Sequence, residues 1–401
     1  MMARTPKILM LAPEWRWPPT TGGEVRAVRL AESLAKRMEV DVVGPTLPGM
    51  QPPPVFANAY LQPRKAFDVL RRIMSMLCLR NPYHVNLYYD SNTAKQVAVL
   101  LARNKYDVIY SNFIYPLIYV SSVRHLVIVD QHNVDRQYWL NKADQAKYPF
   151  NLIASWNLRR TISFELRHLP CLLGYVSVSG EDRNETMKYS SPYVPNFWVA
   201  PNGVNTEKFV PGNVGNNNPR QIVLGYLGSM DLEMNVTAVK HFITAILPCV
   251  RSLLSGNEVL FDIIGRDPTF SLCKLAGQTE GVRLTGRVVD VVPYLQRLDV
   301  MVCPIRMGAG TKLKVVESMS CGIPVVGSRL ALAGLPGRSG KHYIIADSEP
   351  EFINAVCQLA LSVDMRRKMG MAARELIRSF FDWSQIGNHL ADEICSTLEE
   401  R

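Results

Sequence analysis

The chain has 401 residues, more than one ordinary domain core holds, and domains of about 100–200 residues predict two of them. Its shares of hydrophobic residues, 47%, and of charged residues, 20%, are typical of globular proteins and exclude general disorder. No apolar run reaches about 18 residues, which excludes a multispanning membrane protein, and the opening residues do not resemble a signal peptide. The eight cysteines are scattered without a C-x-x-C pair, so we expect a cytoplasmic protein with reduced thiols.

The net charge of +10 is distributed unevenly along the chain. Residues 1–190 hold 24 Lys and Arg against 15 Asp and Glu, whereas residues 191–401 hold 21 against 20. The basic excess of the first half indicates a negatively charged partner: a nucleic acid, an anionic membrane surface or an acidic small substrate. No nucleic-acid-binding module and no aromatic–basic platform is recognisable, so we expect no nucleic acid.

Strands and helices alternate along the first half. The apolar run Lys7–Ala12 is typical of a strand buried on both faces of a parallel sheet. After a Pro- and Gly-rich loop, apolar residues recur at helical spacing over Val25–Arg37, with Arg26 predicted on the solvent face. Further strands are predicted at Val40–Val43, Asp107–Tyr110 and Leu126–Val129.

The second half repeats this alternation. Apolar runs predict strands at Ile222–Leu227, Phe261–Ile264, Val282–Leu284, Val300–Cys303 and Pro324–Val326. Amphipathic patterns predict helices at Val236–Leu253, Lys312–Met319 and Trp383–Leu398. Strand–helix alternation in both halves is typical of doubly wound α/β domains.

A stretch rich in Pro, Gly and Asn, residues 199–218, lies between the two halves and is the predicted linker. We expect an N-terminal α/β domain over residues 1–195 and a C-terminal α/β domain over residues 196–382. A C-terminal helix over residues 383–401 is expected to pack back towards the N-terminal domain.

The segment TTGGE, residues 20–24, lies between the first strand and the first helix. Gly22 and Gly23 would let the backbone approach a ligand closely, and the following helix N-terminus favours an anion. An ordinary flexible loop is the alternative.

The segment DQHNVD, residues 130–135, follows a buried strand directly. Ligands of open α/β sheets bind beyond the carboxyl ends of the strands, so His132 is well placed for proton transfer or for holding a sugar hydroxyl. A solvated loop histidine is the alternative.

The segment RMGAGTKLKVVESMSCGIPVV, residues 306–326, is the most informative. Gly310, Thr311, Lys312 and Lys314 stand at the start of a helix, where backbone N–H groups and lysines suit a diphosphate. Glu317 lies one helical turn beyond Lys314 and could accept both hydroxyls of a ribose. The spacing is not that of a Walker A loop, and a capped helix with an exposed Lys/Glu face is the alternative.

Two further turns follow predicted strands of the second half. Gly228 with Ser229, and Gly265 with Arg266, could bring backbone and one positive charge to a ligand. Structural turns are an equal alternative.

A basic amphipathic segment, Arg64–Arg80, could lie on an anionic membrane or bind an acceptor there. Its cations at the start and middle of the segment are Arg64, Lys65, Arg71 and Arg72. Packing into the core with a solvated rim is the alternative.

Five segments resemble, in this order, motifs of the retaining glycosyltransferases of family 4, which have the GT-B fold. They are TGGEVRAVRLAESLAKR (21–37), DQHNVD (130–135), VAPNGVNTEKFVP (199–211), LGYLGSMDLEMNVTAVKHFITAILP (224–248) and GAGTKLKVVESMSCGIPVV (308–326). The resemblance spans nearly the whole chain, and the last segment preceded by PNGV is its most specific part.

The resemblance implies two Rossmann-like domains facing each other across a cleft. A nucleotide-sugar donor would bind the C-terminal domain, and a sugar or lipid-linked acceptor the N-terminal one. It implies catalytic roles for His132, Lys312 and Glu317. The implied donor site comprises Gly22, Gly23, Gly228, Ser229, Arg266, Gly310, Thr311, Lys312, Lys314 and Glu317. Neither a metal nor another cofactor is implied, because lysines, arginine and helix dipoles can neutralise the leaving diphosphate.

The chain departs from the family pattern at two positions. Ala309 stands where many members carry the first of two glutamates, and Ser229 where many carry an arginine. Reduced activity is one consequence; a shift of phosphate binding to Lys312, Lys314 and Arg266 is the other.

The implied activity is sugar transfer by front-face displacement, in polysaccharide or glycolipid synthesis, on the cytoplasmic face of a membrane. The alternatives are an inactive protein that binds a sugar nucleotide, and an epimerase or phosphorylase of the same fold. A dehydrogenase ranks last because the G-x-G-x-x-G fingerprint is absent.

Overall fold

The computed structural model describes residues 5–19, 21–63, 81–132, 134–190, 194–212, 220–307 and 310–401. Several residues of the sequence motifs lie outside these ranges: Thr20, Arg64, Lys65, Arg71, Arg72, Gly308 and Ala309. The chain divides into two compact units, Met1–Pro201 with Ile386–Arg401, and Asn202–Gln385.

A parallel sheet of seven strands forms the centre of the first unit. The strands are β1 (Lys7–Leu11), β2 (Glu39–Thr46), β3 (Asn58–Pro63), β4 (Val108–Asn112), β5 (Val127–Gln131), β6 (Gly174–Ser177) and β7 (Asn196–Val199). In the order β3-β2-β1-β4-β5-β6-β7, Ile8 pairs with Val40 on one side and Val108 on the other. The strand order reverses between β1 and β4, the kind of switch point at which open α/β sheets bind ligands.

Helices connect these strands. In chain order they are α1 (Gly22–Leu34), α2 (Tyr83–Tyr88), α3 (Ser91–Arg103), α4 (Asp135–Gln145), α5 (Phe150–His168) and α6 (Gly180–Ser190). Buried residues of β1, β2, β4, β5 and β6 pack with those of α2, α3 and α5 in one hydrophobic cluster, which also includes Ile114 and Leu117 from the segment after β4.

The first helix begins earlier than its apolar periodicity predicts. Thr21 and Glu24 form a capping box, in which the Glu24 carboxylate accepts from the Thr21 N–H at 3.0 Å. Gly22 and Gly23 therefore lie in the first turn of α1 and not in a flexible loop. The prediction for Arg26 is wrong: its side chain is fully buried, because α1 is covered on two faces.

The second unit contains a parallel sheet of six strands. They are β8 (Gln221–Leu227), β9 (Glu258–Ile264), β10 (Val282–Gly286), β11 (Val300–Cys303), β12 (Val325–Gly327) and β13 (Ile344–Ile345), in the order β10-β9-β8-β11-β12-β13. Its switch point lies between β8 and β11, whose following loops carry Gly228 and Lys312.

Helices cover both faces of this sheet. They are α7 (Glu233–His241), α8 (Leu247–Leu253), α9 (Phe270–Gln278), α10 (Val292–Leu295), α11 (Leu313–Ser320), α12 (Glu349–Leu361), α13 (Val363–Phe380) and α14 (Trp383–Glu399). Both units have the strand order of doubly wound domains, so the predicted α/β fold class is confirmed.

One continuous helical stretch, Glu233–Leu253, is long and apolar enough to cross a membrane by length and composition alone. A π-helical turn, Phe242–Ile246, joins α7 to α8 within it. Phe242, Ile246 and Val250 are fully buried in the core of the second unit, where Phe242 packs against Phe261 of β9.

The division between the units follows the sheet pairing. Strand β7 pairs with β6, which places Asn196–Val199 in the first sheet, whereas the sequence places the boundary before Asn196. Helix α14 begins in the second unit and runs into the first from Ile386 onwards. Gly387 lies so close to α1 that a Cβ there would meet the Ser33 Cβ at 2.1 Å.

Candidate active site

In the first unit, three segments bring His132 to the switch point of the sheet. His132 directly follows β5, Phe113 directly follows β4, and Gly23 lies in the first turn of α1. A Cβ on Gly23 would lie 3.2 Å from Phe113 Cζ and 3.3 Å from His132 Nδ1. The absence of a side chain at position 23 thus lets α1 approach the imidazole, which is not the flexible loop considered as the alternative in the sequence analysis.

A buried ion pair lies behind His132. Arg26 and Asp130 are fully buried, and the guanidinium reaches Asp130 Oδ1 at 2.6 Å. A second guanidinium nitrogen donates to the backbone oxygens of Ala200, at 2.7 Å, and Pro201, at 3.2 Å. Arg26 therefore ties α1 to the end of β5 and to the last residues of the first unit before the second begins.

The charge state of this group follows from burial and the ion pair. Burial tends to raise the pKa of Asp130, but the Arg26 charge lowers it to about 2. Burial lowers the pKa of His132 below its ordinary value, so the imidazole is neutral at neutral pH. Its Nε2 lies 3.6 Å from Asp130 Oδ2. A proton on Nε2 would face this carboxylate and leave Nδ1 to accept a hydrogen bond from a hydroxyl.

Aromatic side chains continue outward from His132. The Phe113 ring lies 3.9 Å from the imidazole, and Tyr115 stacks on Phe113 at 5.2 Å. Tyr88 stacks in turn on Tyr115, also at 5.2 Å. Phe113 has a backbone φ of +70°, a conformation that non-glycine residues rarely adopt and that is concentrated at functional sites. A neutral imidazole beside partly exposed rings suits an uncharged, ring-shaped or apolar group.

The sequence interpretation missed Arg26, Phe113 and Tyr115. Arg26 lies four residues before the buried Leu30 and on the same face, but this spacing does not reveal its partner Asp130. Phe113 and Tyr115 lack a local signal, because they meet His132 through pairing of β4 with β5.

In the second unit, two glycine turns meet beside the switch point. Gly265 has a φ of +158°, and a Cβ there would lie 1.7 Å from the Gly228 oxygen. The loops after β8 and β9 therefore touch through their backbones, which requires glycine at 265. A Cβ on Gly228 would in turn lie 2.9 Å from Lys314 Nζ.

Lys314 extends from α11 to this turn. Its Nζ donates to the Tyr226 hydroxyl at 2.8 Å and to Asn235 Oδ1 at 2.6 Å. The ammonium also lies 4.3 Å from the centre of the Tyr226 ring. These contacts are with uncharged groups, and burial lowers the pKa of Lys314 to about 8.

Lys312 and Glu317 complete this group. Lys312 is the N-cap residue of α11, is almost wholly buried and donates from Nζ to the Gly310 oxygen at 2.8 Å. Burial lowers the pKa of Lys312 and raises that of Glu317 to about 7, against the opposing charges of Lys208 and Lys314. Gly310 has a φ of +72°, which turns the backbone into the helix beside Thr311.

Ser229 and Arg266 lie together at the same edge. Arg266 Nε donates to Ser229 Oγ at 3.0 Å, and Ser229 Oγ donates to Asp231 at 2.6 Å. An arginine side chain thus stands beside position 229, supplied by the loop after β9. Lysines, a glycine turn and a helix N-terminus together can bind a diphosphate.

Among the described residues, no three His, Cys, Asp or Glu side chains come close enough to hold a metal ion. The acceptor and membrane residues that the sequence suggests, Arg64, Lys65, Arg71 and Arg72, lie outside the described ranges.

Two family models match the chain. A model described as Glycosyltransferase Family 4 matches residues 20–208, and one described as Glycosyl transferases group 1 matches residues 221–362. No curated protein matches significantly.

Solved structures share the fold at low sequence identity. Sucrose-phosphate synthase from Thermosynechococcus elongatus is 14% identical with a TM-score of 0.64, over 99% of this chain and 100% of that one. HepE from Anabaena, in complex with UDP-glucose, is 13% identical with a TM-score of 0.62, over 97% and 99%. WaaG, a glycosyltransferase of lipopolysaccharide biosynthesis, is 16% identical with a TM-score of 0.62, over 96% and 99%.

Proposed function

Because the two family models identify this chain as a glycosyltransferase of the GT-B fold, we propose that it is a retaining hexosyltransferase. It would move a sugar from a nucleoside-diphosphate sugar to an acceptor hydroxyl. The product would be a cell-surface polysaccharide or a glycolipid. The proposed reaction needs no metal, since protein cations stabilise the leaving diphosphate.

The observation that carries this proposal is the group formed by Lys312, Lys314 and Glu317 beside the Gly228 turn. Two lysines and the N-terminus of α11 would receive the diphosphate, and the Glu317 carboxylate would accept the ribose hydroxyls. Arg266, held by Ser229, adds a positive charge that the family pattern places at position 229 itself. The complexes of HepE with UDP and with UDP-glucose support a uridine diphosphate sugar as the first donor to test.

The first unit would supply the acceptor side of the reaction. His132 would contact the transferring sugar or the acceptor hydroxyl through Nδ1, since its Nε2 is turned to Asp130. The stacked rings beyond it, Phe113, Tyr115 and Tyr88, suit a sugar ring or the apolar part of a lipid-linked acceptor. In the front-face displacement proposed here, the departing diphosphate itself takes the acceptor proton.

The decisive experiment compares donor binding by the wild type and by the double variant Lys312→Ala/Lys314→Ala, using UDP-, GDP- and ADP-sugars in calorimetric titrations. Hydrogen bonds to charged groups contribute about 1.5–3 kcal/mol each, so we expect affinity for the preferred donor to fall by at least about ten-fold. Lys368→Ala, an exposed lysine of the same unit, is the control and should bind as the wild type does.

Unchanged affinity in the double variant would refute the donor site. Binding without turnover, over a panel of sugar and lipid-linked acceptors, would refute the transferase assignment. The anomeric configuration of the product, read by proton NMR, tests retention separately.

A further inference from the structure

Among the described residues of the first unit, the four most exposed large apolar side chains lie within residues 148–153. Tyr148, Phe150, Leu152, Ile153 and Trp156 have exposed fractions of 78, 67, 57, 51 and 38%, and we call these five residues the apolar tip. Among the described residues of the second unit, exposed apolar residues stand singly along the chain, as Leu253 and Phe270 do, or in a pair, as Leu361 and Val363 do. Single exposed apolar residues are ordinary, whereas a group of this kind marks an interaction surface.

The apolar tip lies at the turn of a helical hairpin. Helices α4 and α5 pack against each other, and Tyr148 lies in the short connection between Gln145 and Phe150. Trp156 is held in place by Arg160, whose guanidinium lies 4.2 Å from the Trp156 ring. The tip is thus a fixed protrusion built on two helices.

The charges around the tip are predominantly positive. Lys142, Lys147 and Arg159 are exposed in residues 138–159, against one exposed carboxylate, Asp144. Aromatic and aliphatic side chains surrounded by Lys and Arg are the composition of surfaces that insert into the headgroup region of anionic bilayers.

The same hairpin begins at the candidate acceptor residues. Helix α4 starts three residues after His132, and its Tyr138 and Trp139 contact His84 of α2, which stacks near Tyr115. Eleven helical residues with a rise of 1.5 Å each place the far end of α4 about 16 Å from its start. That length fits an acceptor whose lipid part stays in the bilayer while its head reaches His132.

We propose that the apolar tip, with its rim of Lys142, Lys147 and Arg159, docks the protein on an anionic membrane surface. Tyr148, Phe150 and Ile153 enter the headgroup region, and the three cations bind lipid phosphates. This docking is a property of the chain alone and does not depend on the proposed transfer reaction.

The test is flotation of the full chain with phosphatidylcholine vesicles, prepared with and without phosphatidylglycerol. We expect binding to the anionic vesicles that weakens with salt, and at least a ten-fold loss in Phe150→Glu/Ile153→Glu. The matched control, Leu253→Glu/Phe270→Glu, adds the same charge at exposed apolar positions of the second unit and should bind like the wild type. Replacing Lys142, Lys147 and Arg159 by Gln should weaken binding to anionic vesicles by about five-fold per replaced cation.

A second readout follows the surroundings of Trp156, the tryptophan of the apolar tip. Tryptophan fluorescence should shift to shorter wavelength when anionic vesicles are added, and Trp156→Phe should reduce that shift. Absence of wild-type binding, or equal binding by the tip variant, would overturn the proposal. So would a wild-type dimer that the tip variant converts to a monomer in sedimentation, because the tip would then be an interface between copies.

Discussion

The two candidate site regions solve the problem of buried charge in opposite ways. In the first unit, Arg26 and Asp130 neutralise each other, and His132 in front of them is neutral. In the second unit, the cations Lys312 and Lys314 contact uncharged groups, and burial moves the pKa values of Lys314 and Glu317 towards neutrality. The ion pair of the first unit holds its neighbours in a fixed position. In the second unit, the protonation of Lys314 and Glu317 depends on pH and on the ligand that binds.

This difference separates structural from ligand-dependent roles. A charge pair satisfied within the protein contributes to folding and orients its neighbours, and breaking it should cost stability. A group whose pKa has shifted towards neutrality should respond to pH and ligand, and changing it should cost affinity. The predictions below test this contrast, beginning with the largest expected effect.

Replacing Arg26 by Met should destabilise the first unit by about 3–5 kcal/mol, because Asp130 would remain buried without its counter-charge. Urea unfolding followed by circular dichroism measures this loss. Arg29→Met, a half-exposed arginine of the same helix, is the control, with an expected loss of about 0.5 kcal/mol or less. The double variant Arg26→Met/Asp130→Met should lose less than the sum of the single variants; strict additivity would contradict coupling of the pair.

Donor affinity should pass through a maximum between about pH 7 and pH 8. As pH rises through about 7, Glu317 loses its proton and becomes an acceptor for ribose hydroxyls; above about 8, Lys314 loses its charge. At pH 6 the affinity should be about six-fold below its maximum, since about a tenth of Glu317 is ionised there against about three quarters at the maximum. Isothermal titrations across this range measure the profile.

The variant Glu317→Gln sharpens that experiment. It should remove the rise on the acid side while the fall above about pH 8 persists. If the donor affinity of Glu317→Gln still rises between pH 6 and pH 7, a group other than Glu317 causes the rise.

The smallest expected effects come from two glycine substitutions, one in the candidate site region of each unit. Gly23→Ala places a methyl against the packed Phe113 and His132 rings, so we expect a stability loss of about 1 kcal/mol and slower transfer at unchanged donor affinity. The added methyl of Gly228→Ala would lie 2.9 Å from both Lys314 Nζ and Asn235 Nδ2 and would displace the lysine, so we expect weaker donor binding. Initial rates and titrations separate the two outcomes.

Gly180→Ala and Gly256→Ala are the matched controls, because an added Cβ at either position meets no atom within 4 Å. If Gly23→Ala lost donor affinity, the first region would not have the purely structural role inferred for it. If Gly228→Ala lost stability but not donor affinity, the second region would not have its ligand-dependent role.

The sequence predicts most of the buried strands because parallel strands covered on both faces are continuous apolar runs. β3 was not predicted, because its residues, NAYLQP, form an edge strand that is largely exposed and has no apolar run. The start of α1 also differs, since its capping box, and not its apolar periodicity, fixes the first turn.

Local spacing predicts that Lys312, Lys314 and Glu317 lie close together, because they belong to one short helix and its N-terminus. The acceptor-side cluster could not be predicted in the same way. Arg26 and Asp130 are 104 positions apart, and only the sheet topology brings them together. An arginine in an amphipathic helix is ordinarily solvated, so its burial depended on a partner that local patterns do not reveal.

The close packing of Gly387 on Ser33 has a consequence for synthesis of the chain. Residues 386–401 belong to the first unit, but they follow the whole second unit in the sequence. The second unit is therefore fully synthesised before residues 386–401 can pack on α1 of the first unit. Domains ordinarily complete their folding in chain order. Until residues 386–401 pack there, Ser33 stays without the cover that they give it in the complete chain.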